Sequence, residues 1–485
     1  MRPNIVFFMS DNQSANMLGC YGNSELRTPN LDALAQGGVR FDEAYCVNSM
    51  CSPCRASVLT GLMPSQHGIH NWLDDGVAAK WPSRWNAIGE FESFPDALKQ
   101  AGYKTALIGK FHLGESQHRW EAFDHWVTFP HGHTVTFRGN EMYDNGKHFW
   151  CEGHSVDYFT DKTVEFITQH RQVDEPFFAF VPYNGPYGHW PAIKGKAGTE
   201  FDEYYETVPT HSVGREGLNP DVVKRFALRV LEAGAMPHER FMGPLLLPNH
   251  VESLRNYSAQ ISLIDAGVGR VIEALRANGE LENTIIVYSA DHGFSLGNHG
   301  IWGHGLATWP ATLHRASTRI PLIISWPSKL RSKVVDGLTT QLDLGPTLLE
   351  LAGLEPTLGS SSTACSFAPQ LVAGRPTRTE IFMEQEETRA VRTRDWLLMR
   401  RFQNAPGFPL ADTLFNVSDD VDERVPLDCS DNEAYEALCV SVDDYFANTA
   451  DPRFDLWNGG TVKSNSAFPA LWRDAWGGNW SPQMG

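Results

Sequence analysis

NIVFFMSDNQ, residues 4–13, is an apolar run that stops abruptly at an acid and two amides. Its apolar part, Asn4 to Met9, has strand length and shows no polar alternation. That predicts a strand covered on both faces rather than one with a wet side. Asp11, Asn12 and Gln13 fall where such a strand would leave its sheet. Open α/β sheets bind ligands beyond the carboxyl ends of their strands, so the residues just past each further apolar run carry the functional reading. KTALIG (104–109) runs into Lys110, Phe111 and His112. FFAFVP (177–182) runs into Tyr183, Asn184 and Gly185, with His189 close behind. TIIVYSA (284–290) runs into Asp291, His292 and Gly293. A polar strand end is ordinary in any single loop. Asp-Asn, Lys-x-His and Asp-His arriving at one sheet edge are a stronger signal.

Helices alternate with these strands. Thr28 as N-cap and Pro29 at the first helical position open a helix through Ala35, closed by Gly37-Gly38. Val39 to Tyr45 reads as a strand and Pro95 to Gln100 as a helix. Asp157 to His170, Val251 to Ala277 and Pro346 to Leu351 read as further helices, and Ile320 to Ser325 as one more strand. The expected fold is α/β: a large, mainly parallel, doubly wound sheet flanked by helices. After about residue 378 strand-like pieces (Glu380 to Met383, Ala390 to Arg392, Trp396 to Phe402) succeed one another without helices. This predicts two domains, 1–378 and 379–485. The second is a smaller α+β unit with an antiparallel sheet and a wrapping tail.

Composition narrows the function. The chain has 485 residues and a formal net charge of −18. An acidic balance argues against nucleic acid as a partner, since such binders carry a basic face. No apolar run approaches the ~20 residues of a membrane helix, so no membrane partner is expected. The N-terminal apolar core is too short for a signal peptide, and the expected location is the cytoplasm. Eight scattered cysteines do not form a disulfide framework.

Two of those cysteines lie in CSPCRASVLTG (51–61). Ser52 reads as an N-cap and Pro53 as the first helical residue, with Gly61 ending the helix. Cys51 then sits at a helix N-terminus, where the dipole favours anions and a depressed thiol pKa. Arg55, four residues on, shares its face. Spacing alone leaves a redox Cys-x-x-Cys open; a zinc site lacks a second Cys-x-x-Cys. Asp11, Asn12, Asp291 and His292 offer two carboxylates, an amide oxygen and an imidazole. That set suits Ca²⁺, Mg²⁺ or Mn²⁺ better than thiolate zinc.

Cys51-Ser-Pro53-Cys-Arg55 with Thr60-Gly61 resembles the signature of the type I, formylglycine-dependent sulfatases of the alkaline phosphatase-like superfamily. The likeness extends to Asp11, LGCYGNSELRTPNLDALAQGGVRF, Gly109 to Gly114, Asp291-His-Gly293, Gly297 to Gly303 and TRDWLLMRRF…DTLFNVSDD. The resemblance implies a sulfuric ester hydrolase acting on a small-molecule or carbohydrate sulfate. Cys51 would be oxidised by a formylglycine-generating enzyme. Its aldehyde hydrate would attack sulfur with one hydroxyl and expel sulfate with the other. Pro53 and Arg55 would be read by the maturing enzyme, and Arg55 would also hold the hydrate. Asp11, Asn12, Asp291 and His292, with the modified Cys51, would hold one divalent metal, Ca²⁺ first, with Mn²⁺ or Mg²⁺ as alternatives. Lys110 would bind sulfate. His112 would orient the hydrate or serve as base, and His189 would protonate the leaving oxygen.

The chain departs from the family pattern in places. Asn12 stands where a second Asp is usual. His292 replaces an Asn common after the metal-binding Asp, as in subgroups that include phosphonate-ester hydrolases. His304 stands in place of a late lysine and could bind sulfate or act as an acid. A phosphodiester or phosphonate monoester hydrolase is therefore the alternative, and a thiol-based redox or binding protein the third reading. His67, His70 and His299 are candidates for the pocket or for structural hydrogen bonds, and Trp72 or Trp190 for sugar stacking. Selectivity is expected in residues 131–154, 191–250 and the C-terminal tail.

Overall fold

The computed structural model describes residues 2–73, 82–130, 132, 134, 136–171, 174–188, 196–217, 219–225, 250–404, 410–430 and 432–480. The opening run becomes strand β1 (Asn4–Ser10). It is followed by helix α1 (Pro29–Gly37), strand β2 (Val39–Phe41), helix α2 (Cys51–Thr60), helix α3 (Phe94–Gln100) and strand β3 (Lys104–Ile108). Next come β4 (His125–Thr128), the hairpin β5 (Arg138–Asp144) and β6 (Lys147–His154), α4 (Ser155–Gln169) and β7 (Phe177–Pro182). The main unit closes with α5 (Val251–Asn278), β8 (Thr284–Ala290), β9 (Leu322–Ser325), β10 (Lys333–Val335) and α6 (Leu344–Leu351).

The ten strands form one sheet in the order β10-β2-β9-β8-β1-β7-β3-β4-β5-β6. Strand β1 lies in the middle, parallel to β7 and β8, and β3 continues the parallel run beside β7 and β4. Only β9 and β5 oppose the rest. Alternate residues of β1 feed two separate cores. Ile5, Phe7 and Met9 pack beneath α2, α3 and α6, while Val6 and Phe8 pack beneath α1, α4 and α5. This double cover explains why β1 shows no polar alternation. Among the described residues no helix is long and apolar enough to cross a membrane.

A four-stranded antiparallel sheet comes after it: β11 (Glu380–Gln385), β12 (Thr388–Thr393), β13 (Trp396–Arg401) and β14 (Thr413–Asn416), in sequence order. Helix α7 (Glu433–Thr449) packs on it through Leu438, Val442 and Phe446. The last helix, α8 (Pro469–Trp476), and its flanks join a core that also holds Met50, Leu306 and Trp309.

Three local expectations need correction. Val39 to Tyr45 is two strand pieces, Val39–Phe41 and Ala44–Tyr45, not one. Thr28 occupies the cap position of α1 but caps nothing with its side chain. Asp265 of α5 accepts from the N–H groups of Asn30 and Leu31 instead, so a distant acid satisfies that helix start. Helix α2 begins at Cys51 behind Met50 as N-cap, so Ser52 is helical rather than the cap. The Ser52 hydroxyl accepts from the N–H of Leu73.

Candidate active site

The central strands deliver their polar ends to one place. Strand β1 ends beside β8 in register, Ser10 opposite Ala290, so Asp11 and Asp291 leave the sheet as neighbours. Helix α2 starts over this edge with all ten of its residues buried, Arg55 among them. Gly61 ends the helix in the left-handed region, as expected. Lys110 arrives from β3 after Gly109, whose φ of +147° only glycine tolerates. A Cβ on Gly109 would lie 2.0 Å from the carbonyl oxygen of Pro182 at the end of β7.

Asp11, Cys51, Asp291 and His292 form a buried group whose ligating atoms all lie within 4.8 Å of one another. Cys51 Sγ is 3.7 Å from Asp11 Oδ1 and 3.4 Å from His292 Nε2. Arg55 clamps the two acids. Its Nε and Nη2 donate to Asp291 Oδ2 at 3.1 and 2.9 Å, and Nη2 also donates to Asp11 Oδ2 at 2.9 Å. Lys110 Nζ donates to the same Asp11 oxygen at 2.5 Å. Two carboxylates thus face two basic side chains.

The electrostatics reflect that pairing. Burial pushes the Asp11 carboxyl up, but Lys110, Arg55 and His292 pull it further the other way, and it ends below its ordinary value. Burial alone would lower Lys110; Asp11 outweighs it and the ammonium is held more firmly. Arg55 is likewise pulled up, by Asp291 and Asp11 against its burial. Cys51 contradicts the expectation of a depressed thiol. Burial first, and then Asp11, raise it well above the ordinary value, and Lys110 and Arg55 do not compensate. The helix N-terminus is outweighed because the thiol faces a carboxylate in a dry pocket.

The donor set fits a hard divalent cation. The Asn12 side chain is buried, and neither its Oδ1 nor its Nδ2 finds a partner among the described residues, an arrangement that leaves the carbonyl oxygen for a ligand. Asn12 is held in the left-handed region, φ 62°, by its N–H on Asp291 Oδ1 at 3.1 Å and by the Tyr257 hydroxyl on its carbonyl. His292 Nδ1 lies 2.7 Å from the Gly293 carbonyl, which can only accept, so Nδ1 carries a proton and Nε2 is the ring nitrogen that faces the group.

The remaining candidates divide. His112, also in the left-handed region, is buried with Nε2 3.1 Å from the Leu73 carbonyl, the residue that bonds Ser52. Its ring fills the space over Gly132. His304 is half-buried, its ring perpendicular to that of His292 at 5.4 Å. His189 and Trp190 lie outside the described residues. His67 bonds Ser57 and Ile69, His70 bonds the Phe454 carbonyl, and His299 stacks on His314 at 4.1 Å. Each of those three has a structural partner. Trp72 packs against the core of the C-terminal segment. The sequence reading missed Tyr257, Gln341, whose Nε2 donates to the Asp291 carbonyl, and Tyr187, whose ring lies 5.5 Å from Lys110 Nζ. Tyr257 sits in a long amphipathic helix, where nothing separates it from a core tyrosine.

Comparison with known proteins adds to this geometry. The model of a family described as Sulfatase matches residues 3–354. An N-acetylglucosamine-6-O-sulfatase of Bacteroides thetaiotaomicron is 30% identical over 402 residues, covering 73% of this chain and 68% of that protein. A protein solved in complex with its substrate D-glucosamine-2-N,6-O-disulfate shares the fold at a TM-score of 0.72 and 24% identity, over 93% of this chain and 98% of that one. A phosphonate monoester hydrolase of Agrobacterium radiobacter shares it at 0.64 and 18% identity, over 92% and 95%.

Proposed function

The chain belongs to the sulfatase family, and from that premise we propose that it hydrolyses the sulfate ester of a small carbohydrate, with glucosamine 6-O-sulfates as the first class to test. The observation that carries the proposal is the position of Cys51. It heads a buried helix within 3.7 Å of Asp11 and 3.4 Å of His292, beside Arg55 and Lys110. Oxidised to formylglycine and hydrated, the Cys51 side chain would supply the oxygen nucleophile. A divalent cation held by Asp11, Asn12, Asp291 and His292, Ca²⁺ by its oxygen-rich donor set, would supply the charge that stabilises the sulfate oxygens.

The chain's own groups do the rest. Lys110 keeps its proton and offers a cation to the sulfate; Arg55 fixes both carboxylates in the geometry a ligand needs. Charge builds on the leaving oxygen as the S–O bond breaks, and a histidine, His189 or His304, gives that oxygen its proton. His112 orients the hydrate or takes its proton. The relative that removes 6-O-sulfate from N-acetylglucosamine, and the fold neighbour bound to a sulfated glucosamine, support the carbohydrate class. Asp291-His292 favours one second reading, hydrolysis of phosphonate monoesters.

The test is protein co-produced with a formylglycine-generating enzyme. Mass spectrometry of the peptide ending at Arg55 is expected to find the aldehyde at Cys51. The protein is then expected to release sulfate from N-acetylglucosamine 6-sulfate faster than it cleaves an aryl phosphonate. An unmodified thiol, or the reverse preference, would sink the proposal. Ca²⁺ at about a hundred times its Kd should raise the stability by about 2.7 kcal/mol, and Asp291→Ala should abolish the thermal shift.

A further inference from the structure

The tip of the β11–β12 hairpin reaches the site from the smaller sheet. Gln385, the last residue of β11, is completely buried. Its Oε1 accepts from the Ser49 N–H at 3.1 Å and from the Ser49 hydroxyl at 2.9 Å. The same hydroxyl oxygen accepts from the Gly305 N–H at 2.8 Å. Ser49 stands just ahead of Met50 and Cys51, and Gly305 directly follows His304. The Ser49 side chain therefore ties the segment that enters α2 to the loop that carries His304, and Gln385 holds that side chain in place. The packing leaves no slack: a Cβ on Gly305 would lie 2.0 Å from Ser49 Oγ and 2.8 Å from Gln385 Oε1. The backbone beside it joins in. The Glu384 N–H donates to the Val47 carbonyl at 2.9 Å, and Asn48 Nδ2 donates to the Glu384 carbonyl at 2.7 Å.

We propose that Gln385 is a positioning residue that fixes the distance between the Cys51 turn and the His304 loop, so that the smaller sheet sets turnover without touching substrate. The activity readout rests on the sulfatase reading. The physical reason is that two buried donors of Ser49 share one acceptor. Removing that acceptor strands both, and a buried donor without a partner moves until it finds one. Ser49 then drags Gly305 with it. A shift of an ångström at either end takes the reacting groups out of line.

The experiment uses Gln385→Leu, Ser49→Ala and the double variant, each checked by mass spectrometry for full conversion of Cys51. For either single variant kcat is expected to fall about tenfold to a hundredfold, with KM changed less than about twofold. The double variant is expected to match the worse single one, because both break the same link. Gln385→Glu keeps the acceptor and returns most of kcat. Wild-type kcat in Gln385→Leu, or losses that multiply in the double variant, would overturn the proposal. Amide hydrogen exchange at Ser49 and Gly305 gives a readout that needs no substrate. Faster exchange at both amides in Gln385→Leu, with β1 unchanged, upholds the link even if no sulfate ester is turned over. Unchanged exchange at Gly305 overturns the link and leaves the sulfatase reading standing.

Discussion

Asp11 takes Lys110 and Arg55 on a single carboxylate oxygen and leaves the other toward Cys51. Much of this was legible in the sequence, because each of Asp11, Lys110 and Asp291 closes an apolar run and strand ends of a parallel sheet share an edge. Cys51 and Arg55 were legible through the Cys-x-Pro-x-Arg spacing. What the sequence misled about was the thiol. A helix start is a local feature, whereas the desolvation and the carboxylate that raise the Cys51 pKa come from chain segments far away. The leaving-group acid of the proposed reaction was not legible either, because a histidine in a loop carries no pattern. It can be identified by chemistry. Loss of the acid costs about a hundredfold or more on a sugar sulfate, whose alkoxide leaves poorly, and little on nitrophenyl sulfate, whose phenolate needs no proton. Comparing His189→Ala with His304→Ala on both substrates assigns the role to the variant with the steeper dependence. Equal, shallow losses in both would remove the role from each.

At the scale of elements, the helices and central strands around the site were read nearly in full; the errors lie at helix starts, in the break within Val39 to Tyr45, and in β4, β5, β6, β10 and α7, which the reading did not give. Double burial made β1, β7 and β8 plain as apolar runs, and the closing glycine made α2 plain. The cap of α1 was invisible because Asp265 supplies it from another helix, 235 positions away in the chain. The link between β3 and the site depends on Gly109, which a sequence shows only as one glycine among many. Its N–H donates to the Val127 carbonyl while Lys110 donates to Pro182, so the strand end is pinned to both neighbours. Gly109→Ala places a methyl group against the Pro182 carbonyl in a forbidden backbone region. It should destabilise the protein by about 2 kcal/mol or more and lower kcat by displacing Lys110. Thermal unfolding and turnover measured together check both; a variant with unchanged Tm would show that β3 yields there at no cost.

Across the whole molecule, the hairpin of residues 385–388 joins the smaller sheet to loops of the main unit, and it carries two consecutive buried acids. Glu386 gathers Asn71, Ser466, Ala467 and Trp472 and so fastens the C-terminal segment to the main unit. Glu387 is different. One of its oxygens accepts from the Ala311 N–H at 2.6 Å and the other has no partner among the described residues. Burial, then Glu386, raise its carboxyl from an ordinary 4.5 to about 7. The folded chain therefore holds this proton more tightly than the unfolded one. The stability it contributes is complete below about 4.5 and is lost as the pH rises through about 7. Glu387→Gln cannot ionise, so its Tm should gain on that of the parent protein between about pH 5 and about pH 8; a constant difference across that range would show that Glu387 titrates elsewhere. One last property of the molecule concerns time rather than geometry. Every residue of α2 is enclosed by the finished fold, and Cys51 has only 4% of its surface in contact with solvent. A second enzyme cannot thread that segment into its own cleft once the sheet has closed. On the proposed chemistry, conversion of Cys51 would then have to precede folding, a race between the modifying enzyme and collapse of the nascent chain. Slower synthesis or delayed collapse should raise the fraction of active molecules, whereas incubating the finished, unconverted protein with the modifying enzyme should yield none.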